Sequence, residues 1–375
     1  MKIGIVTEYY YPLLGGITEH VHNTKTRLQA MGHDVRIITS NNGAHGGNGN
    51  GGADPGEADV IRIGRALPVY SNGSFAHMTV GKNLKGRMRA ILQAEEFDLL
   101  HLHSPIVVTL PPLAAGEATC PLVGTFHTYF EGSLIYSILR GKIQKTIVNR
   151  LNAQIAVSKT TTDALGRYFD LDAKIIPNGV DTDLFSPEAA PLGKFDDGKR
   201  NLLFLGRFDP RNGLALMLKA FEIIKSEFPD VRLIVVGNGP LDFYYKSLVP
   251  RRLRRDVYFE GPVKDNRPAY YTRCDVFCSP VMKASFGVTL LEAMASGRPI
   301  VATENEGYKE LLGPGESILV PARDPKAFAG AVISLLRDDG LRRRMGDNGR
   351  RKAMRYSWDV VTQEIAACYD EIVKG

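Results

Sequence analysis

The residues of this chain best placed to do chemistry lie in the stretch 283–307, where Ser285-Phe286-Gly287-Val288 precedes apolar residues at Val288, Leu291 and Ala295. That spacing predicts a helix, with Ser285 as its cap, Gly287 and Val288 in its first turn, and Gly297-Arg298-Pro299 at its end. The exposed N–H groups and positive dipole end of such a turn form a cradle for phosphate. Glu292 follows roughly one and a half turns further in, where a carboxylate suits hydroxyl groups, such as those of a ribose, better than phosphate. The combination points to a nucleoside-diphosphate ligand. By spacing alone, an ordinary helix and strand with Glu292 on a solvated face explains the pattern about as well.

Two further groups carry potential chemistry. Arg207 is a fixed cation at the tip of an expected strand, 201–205, suited to bidentate phosphate contact. His127 stands at the carboxyl end of an expected strand, 122–126, where open α/β sheets place ligands. All eight histidines lie at or before position 127. His101 and His103 share a strand face, but without a third ligand they read as hydrogen-bonded structural residues rather than a metal pair. Asp181-Thr182-Asp183 sits in a turn and is not read as a metal site.

These residues need a scaffold of alternating strands and helices. Strand 2–7, a loop ending in Gly15-Gly16, helix 17–31 and strand 35–39 form a parallel doubly wound unit. A dehydrogenase is excluded, because the three spaced glycines and the acidic residue after the second strand are missing. The glycine-rich run 43–56 reads as a surface loop. Strands follow at 60–63, 98–103, 122–126, 153–157 and 174–177, with helix 143–151 before the fourth of these. Lys82, Lys85 and Arg89 are spaced to share one face of a basic helix, with Arg87 beside it. A polar hinge at 187–200 leads to a second array, with strands 201–205, 232–236, 257–261, 275–279 and 300–303 and helix 214–226. The last helix, 358–372, is expected to return to the first array.

With 375 residues and 44% hydrophobic content, the chain fits two globular domains. It has no run of eighteen apolar residues, and its first residues read directly as a strand, so neither a membrane span nor a leader is expected and the location expected is cytoplasmic. The four cysteines show no metal-finger spacing and are expected to be reduced and partly buried. A net charge of +6 is modest, and its basic clusters lack the interleaved aromatics of a nucleic-acid module.

Gly15-Gly16, Asn72-Gly73-Ser74, Thr125-Phe126-His127-Thr128, Gly206-Arg207 and Ser285-Phe286-Gly287 with Glu292 resemble the motifs of retaining glycosyltransferases of family four. The resemblance is strongest to bacterial phosphatidylinositol mannosyltransferases and covers nearly the whole chain. It implies an α/β protein of GT-B fold, with two Rossmann-like doubly wound domains facing a central cleft. Residues 1–180 with 357–375 would form the acceptor side, and 181–356 the nucleotide-sugar side. It also implies transfer of a hexose, with mannose the leading guess, from a GDP- or UDP-linked donor to a hydroxyl acceptor of inositol-phosphate or other anionic-lipid type. Neither metal nor cofactor is implied.

His127 and Arg207 would be catalytic. The donor would meet Gly15, Gly16, Arg207 and Arg211, the base would lie near Val263 and Lys264, and Ser285, Phe286, Gly287, Val288 and Glu292 would hold the diphosphate and ribose. The acceptor would meet Tyr9, Tyr70, Asn72 and Ser74, with Lys82, Lys85 and Arg89 offering a basic face to a membrane on which the protein would be peripheral. Two departures stand out. Ala284 replaces the first glutamate of the family signature, and Asn212 replaces a lysine whose charge Arg211 would then supply. They keep two alternatives open: a catalytically impaired nucleotide-sugar binder, and a sugar-nucleotide epimerase of the same fold.

Overall fold

The computed structural model describes residues 1–13, 15–41, 58–71, 74–107, 109–129, 132–263 and 266–374, with the backbone alone for 70, 71 and 74–76. Two compact units emerge, Met1–Asn178 with Trp358–Gly375, and Gly179–Ser357.

The first unit is built on a seven-stranded parallel sheet in the order β3-β2-β1-β6-β7-β8-β9. Its strands are β1 (Lys2–Val6), β2 (Asp34–Ser40), β3 (Val60–Ile63), β6 (Leu99–His103), β7 (Leu122–Phe126), β8 (Ala153–Ala156) and β9 (Ala173–Ile175). A separate antiparallel hairpin, β4 (Arg65–Ser71) and β5 (Ser74–Val80), branches from it. Its helices are α1 (Gly16–Ala30), α2 (Leu84–Glu95), α3 (Leu110–Glu117), α4 (Leu134–Thr146), α5 (Lys159–Gly166) and α13 (Trp358–Lys374). Because helices cover both faces, the strands are near-continuous apolar runs: Ile3, Ile5, Val35, Ile37, Leu99 and Val123 are fully buried. Each such side chain contributes about 1.5–3 kcal/mol by leaving water. Trp358, Val361, Ile365 and Tyr369 of α13 pack into the same cluster as Ile3, Ile5 and Val21.

The second unit repeats the plan with six parallel strands in the order β12-β11-β10-β13-β14-β15. They are β10 (Arg200–Leu205), β11 (Val231–Val236), β12 (Val257–Gly261), β13 (Val276–Ser279), β14 (Ile300–Thr303) and β15 (Ser317–Val320). The helices are α6 (Leu214–Glu227), α7 (Asp242–Ser247), α8 (Arg267–Arg273), α9 (Val288–Ala295), α10 (Glu306–Leu311), α11 (Pro325–Arg337) and α12 (Asp339–Ala353). Arg350 ties its ends together by donating to the carbonyls of Thr182, Phe185 and Ala295.

In both sheets the strand order reverses beside the first strand of the array, between β1 and β6 and between β10 and β13. Ligands of open α/β sheets bind at such a switch point, beyond the carboxyl ends of the strands. Residues 7–13, 15–16, 104–107 and 109 occupy it in the first unit, and residues 206–213 and 280–287 in the second.

One local expectation changes. The helix expected at 143–151 runs instead over Leu134–Thr146 and is followed by a short 3-10 turn at Val148–Arg150. Ser133 starts it early, accepting from the N–H of Tyr136 at 3.2 Å, and its outward apolar residues gave no core-facing period. Arg65–Ser71 and Ser74–Val80 pair as an antiparallel hairpin. The four cysteines carry no disulfide; three are buried, and burial pushes the Cys274 thiol up to about 12. Among the described residues, no helix is long and apolar enough to cross a membrane.

Candidate functional site

In the second unit the loops after β10 and β13 are bound to one another. Met282 N–H donates to the carbonyl of Arg211 at 2.7 Å. Thr303 Oγ1 and Asn305 Nδ2 both donate to the carbonyl of Val281, at 2.6 and 2.9 Å. Gly213, at φ 74°, lies so close to Pro280 that a Cβ there would come within 2.0 Å of its carbonyl oxygen. The two loops therefore form one rigid rim.

Two guanidinium groups stand on that rim. Arg207 pairs with the buried Asp209 at 3.1 Å and keeps 48% of its side chain exposed. Arg211 is partly buried, and its Nε, out of contact with solvent, meets no hydrogen-bond partner. Burial and the charge of Arg207 both lower the Arg211 pKa from the ordinary guanidinium range, while Asp209 and Tyr308 oppose that shift. Two cations held against each other, with a donor unfilled, make a receptor for an anion. Asn212 supplies no charge; its Nδ2 donates to the carbonyl of Arg207 at 2.7 Å and braces the turn.

Helix α9 begins beside them. Its first residue is Val288, and Gly287 occupies the cap position at φ 140°, ψ 68° with no side-chain cap, so the expected capping by Ser285 is not found. Only glycine fits there: a Cβ would approach Leu290 Cδ1 to 2.7 Å and Tyr308 Cε1 to 3.0 Å. Tyr308, anchored by its hydroxyl on Ser279 Oγ at 2.8 Å, thus adjoins both Arg211 and the start of α9. Phe286 is buried and packs at 6.2 Å from the Tyr356 ring.

Glu292 is 2% exposed, which removes the solvated-face reading. One of its oxygens pairs with Arg267 Nη1 at 3.0 Å and the other accepts from the Tyr271 hydroxyl at 2.7 Å. Burial first, and then the Glu292 charge, hold the Tyr271 hydroxyl well above its ordinary pKa. The carboxylate is therefore held in place by two protein donors, Arg267 and Tyr271. Val263 is half-buried at the end of β12, whereas Lys264 lies outside the described residues.

In the first unit, Gly15 and Gly16 are exposed at the start of α1, with Gly15 extended at φ 167°. Four histidines then meet in the interior. His20 comes from α1, His101 and His103 from β6, and His127 from the end of β7. His103 Nδ1 and His127 Nε2 lie 2.8 Å apart with rings stacked at 5.1 Å, and the His20 ring stands edge-on to both, at 5.2 and 5.1 Å. His20 Nδ1 meets Asn178 Oδ1 at 2.9 Å; His101 meets the Tyr369 hydroxyl and Thr125 Oγ1, both at 2.6 Å. Burial lowers all four pKa values, that of His20 to about 4 and that of His101 to about 3. The rings are neutral at pH 7. The sequence reading singled out His127 and foresaw hydrogen-bonded histidines at 101 and 103, but it missed His20, whose only signal was a histidine among the inward positions of a helix.

Around the first-unit switch point, Glu8 is a buried carboxylate that sequence reasoning also missed. It accepts from the N–H groups of Thr109 and Leu110, at 2.8 and 2.5 Å, at the start of α3, and from Thr79 Oγ1 on the hairpin. Burial raises its pKa against those bonds. The Tyr9 hydroxyl accepts from the N–H of His77, so the loop after β1 holds the hairpin at two points. Asn72 lies outside the described residues, and the structure describes only the backbone of Tyr70 and Ser74.

Lys82 precedes α2, and Lys85 and Arg89 both turn to Glu117 of α3, at 3.3 and 2.6 Å. Asp181 caps its own turn, accepting from Asp183 and Leu184 N–H at 3.2 and 2.9 Å. Among the described residues no group of three or more His, Cys, Asp or Glu is arranged to hold a metal ion.

The family model described as Glycosyltransferase Family 4 matches residues 14–184, and that described as Glycosyl transferases group 1 matches residues 187–352. A phosphatidyl-myo-inositol mannosyltransferase of Mycobacterium leprae is 34% identical, over 99% of this chain and 97% of its own. A D-inositol 3-phosphate glycosyltransferase of Corynebacterium glutamicum is 23% identical, over 100% and 97%. Among solved structures, Anabaena HepE in complex with UDP and glucose superposes with a TM-score of 0.75 at 19% identity, covering 99% of both chains.

Proposed function

We propose that this chain, which belongs to glycosyltransferase family four, transfers a hexose from a nucleoside diphosphate sugar to a hydroxyl of an inositol-phosphate-type or other anionic lipid, with retention of configuration. Mannose is the sugar favoured, because the M. leprae relative, aligned over almost the whole chain, is named for that transfer. GDP and UDP are both admitted as the carrier; the HepE structure is a complex with UDP and glucose.

The observation that carries the reading is the paired cation site on the rim of the second unit. Arg207 and Arg211 are held together at the tip of β10, and Gly287 opens α9 beside Tyr308. The scissile bond of the donor joins the anomeric carbon to a phosphate oxygen, and charge accumulates on the departing diphosphate. Fixed guanidinium groups and helix N–H donors stabilise that charge most where it develops. A metal would supply the same neutralisation in another architecture, and none is assigned here.

Glu292 is assigned to the ribose, since a carboxylate with two oxygens retains acceptor capacity beyond Arg267 and Tyr271. Val263 is assigned to the base. In the first unit, Gly15 and Gly16 are assigned to the phosphate by their main-chain N–H groups. The neutral His127 is assigned to a sugar hydroxyl, and Tyr9, Tyr70, Asn72 and Ser74 to the acceptor. The acceptor oxygen bonds to the anomeric carbon on the face the phosphate leaves, and its proton passes to the departing phosphate oxygen.

The test is direct. Purified protein is incubated with GDP-mannose, UDP-glucose or UDP-N-acetylglucosamine and either detergent-dispersed phosphatidylinositol or inositol 1-phosphate, and the anomeric configuration of the product is read by NMR. An α-mannosyl lipid from GDP-mannose is the expected product. An inverted product would sink retention, and preference for inositol 1-phosphate would sink the lipid acceptor.

A further inference from the structure

We propose that the outer face of α4 is the docking surface for an anionic lipid bilayer. This helix, Leu134–Thr146, has no buried residue. It rests on the first unit through Tyr136, whose hydroxyl donates to the carbonyl of Ile106 and whose ring meets Phe169 at 5.4 Å, and through Gln144, which donates to the carbonyl of Asp170. The opposite side carries Leu134, Ile135, Ile138 and Leu139, which are 76%, 65%, 71% and 42% exposed. Their spacing of one, three and one residues makes a single stripe along the first two turns. Apolar side chains gathered in this way on a water-facing helix mark a contact surface.

The charges indicate what covers it. Between Leu134 and Thr146 there is no acidic residue, and Arg140, Lys142 and Lys145 are all exposed. Among the described residues no ion pair engages any of the three. Lys142, four residues beyond Ile138, and Lys145, three further on, continue the outer side toward the carboxyl end. An apolar half followed by a basic half suits a helix lying in the boundary of a bilayer: the isoleucines and leucines enter the acyl region, and the lysine stems run along it to place their ammonium groups among phosphates. A second copy of the chain fits less well, because a two-fold contact over the apolar half finds no acidic residue on this helix to pair with Arg140, Lys142 and Lys145. The surface that sequence reading had favoured, Lys82, Lys85 and Arg89, has no apolar component, and two of its charges already meet Glu117.

The inference rests on the reading that the acceptor is a lipid, since such a substrate must be met at a membrane. It is tested by co-sedimentation with vesicles of equal phosphatidylglycerol and phosphatidylcholine, against phosphatidylcholine alone. The variants are Leu134→Ser/Ile135→Ser/Ile138→Ser/Leu139→Ser, the single Ile138→Asp, and Arg140→Ser/Lys142→Ser/Lys145→Ser. Circular dichroism confirms folding, and Ile138→Asp serves if the fourfold variant does not fold. The parent is expected to bind anionic vesicles, the apolar variants to lose at least about tenfold in partition at any salt, and the basic variant to lose the preference for anionic lipid. All should retain parental transfer to phosphatidylinositol dispersed in detergent.

Unchanged vesicle binding by the folded apolar variants overturns the proposal. So does an ultracentrifugal dimer of the parent that the fourfold Ser variant dissociates, which would assign the stripe to a second copy. Vesicle binding that depends on α4, without transfer to dispersed phosphatidylinositol by any form, would leave the surface standing and remove the lipid acceptor instead.

Discussion

His103 Nδ1 and His127 Nε2 face each other at 2.8 Å, so one imidazole donates and the other accepts. With Nε2 engaged in this way, Nδ1 is the nitrogen through which His127 would meet the proposed sugar hydroxyl. Its partner fixes the plane of the ring, and burial keeps it neutral. A neutral, oriented imidazole can make one directed hydrogen bond to a sugar hydroxyl, but it is not a charged electrophile.

From this, His127→Ala is expected to lower turnover at saturating donor by at least about tenfold, equivalent to some 1.4 kcal/mol in the transition state. His103→Ala should act through His127, with a smaller loss. Steady-state rates of both variants check this, and unchanged turnover in His127→Ala returns the residue to a purely structural role.

The histidine cluster also sets an acid limit. His20 and His101 are driven down to about 4 and about 3 by burial, from 6.5 in the unfolded chain. Above pH 6.5 both states are neutral and the shift has no effect on stability. As pH falls below 6.5 the unfolded chain binds protons that the folded unit refuses, and stability declines until the folded pKa values are reached. At pH 5 each of these two rings lowers stability by about 2 kcal/mol relative to pH 8, and His103 and His127 act in the same direction. Thermal melts from pH 8 to 5 should fall steeply below pH 6.5. A flat profile over that range would mean that the four rings are not buried as neutral groups.

Much of this was legible in the residues. Strand-glycine-helix alternation announced both sheets, since parallel strands buried on two faces must be short apolar runs such as 232–236 and 300–303. The position of Arg207 just past a strand could also be read, as could a helix opening near Gly287. What could not be read depends on long-range pairing. Arg267 and Tyr271 come to Glu292 from another helix, Asn178 comes to His20 from far along the chain, and Glu117 pairs with Lys85 and Arg89 from a neighbouring helix. Helix α4 was displaced for the opposite reason: its apolar side faces outward, so its periodicity does not mark a core.

The Glu292–Arg267 pair gives a third expectation. Glu292→Ala strands a mostly buried guanidinium and should cost about 2–4 kcal/mol of stability in the second unit, within the range for breaking a buried pair after allowing for the 19% exposure of Arg267. Glu292→Gln keeps the volume and an acceptor for Tyr271, yet removes the charge. Donor binding should weaken by about tenfold to a hundredfold in the Gln variant, as charge-assisted bonds worth about 1.5–3 kcal/mol are lost. Melting temperature and calorimetric donor affinity separate the two effects, and equal affinity in parent and Gln variant takes Glu292 out of the donor site.

Metal removal supplies a fourth. With Arg207, Arg211 and helix N–H groups assigned to the diphosphate, transfer should continue at the parental rate after dialysis against EDTA. Recovery of activity only on adding manganese or magnesium would show that the diphosphate needs a cation these groups do not replace.

The last expectation concerns Arg211, where function and stability should part. Its guanidinium is desolvated, lies beside the like charge of Arg207, and holds a buried Nε without a hydrogen-bond partner. Each of these costs stability in the free protein, and each is relieved when an anion arrives. Arg211→Met keeps much of the apolar stem while removing the charge and the unfilled donor. It should therefore leave the melting temperature of the second unit unchanged or raised, while weakening binding of GDP or UDP by at least about tenfold, the loss of one charge-assisted phosphate contact. Arg207→Met removes an exposed cation already paired with Asp209, so it should weaken nucleotide binding with no gain in stability. Calorimetric titration and differential scanning calorimetry on the same samples read both quantities. A stable Arg211→Met protein that binds nucleotide as tightly as the parent would remove Arg211 from the anion site and leave Arg207 and the start of α9 to hold the diphosphate alone.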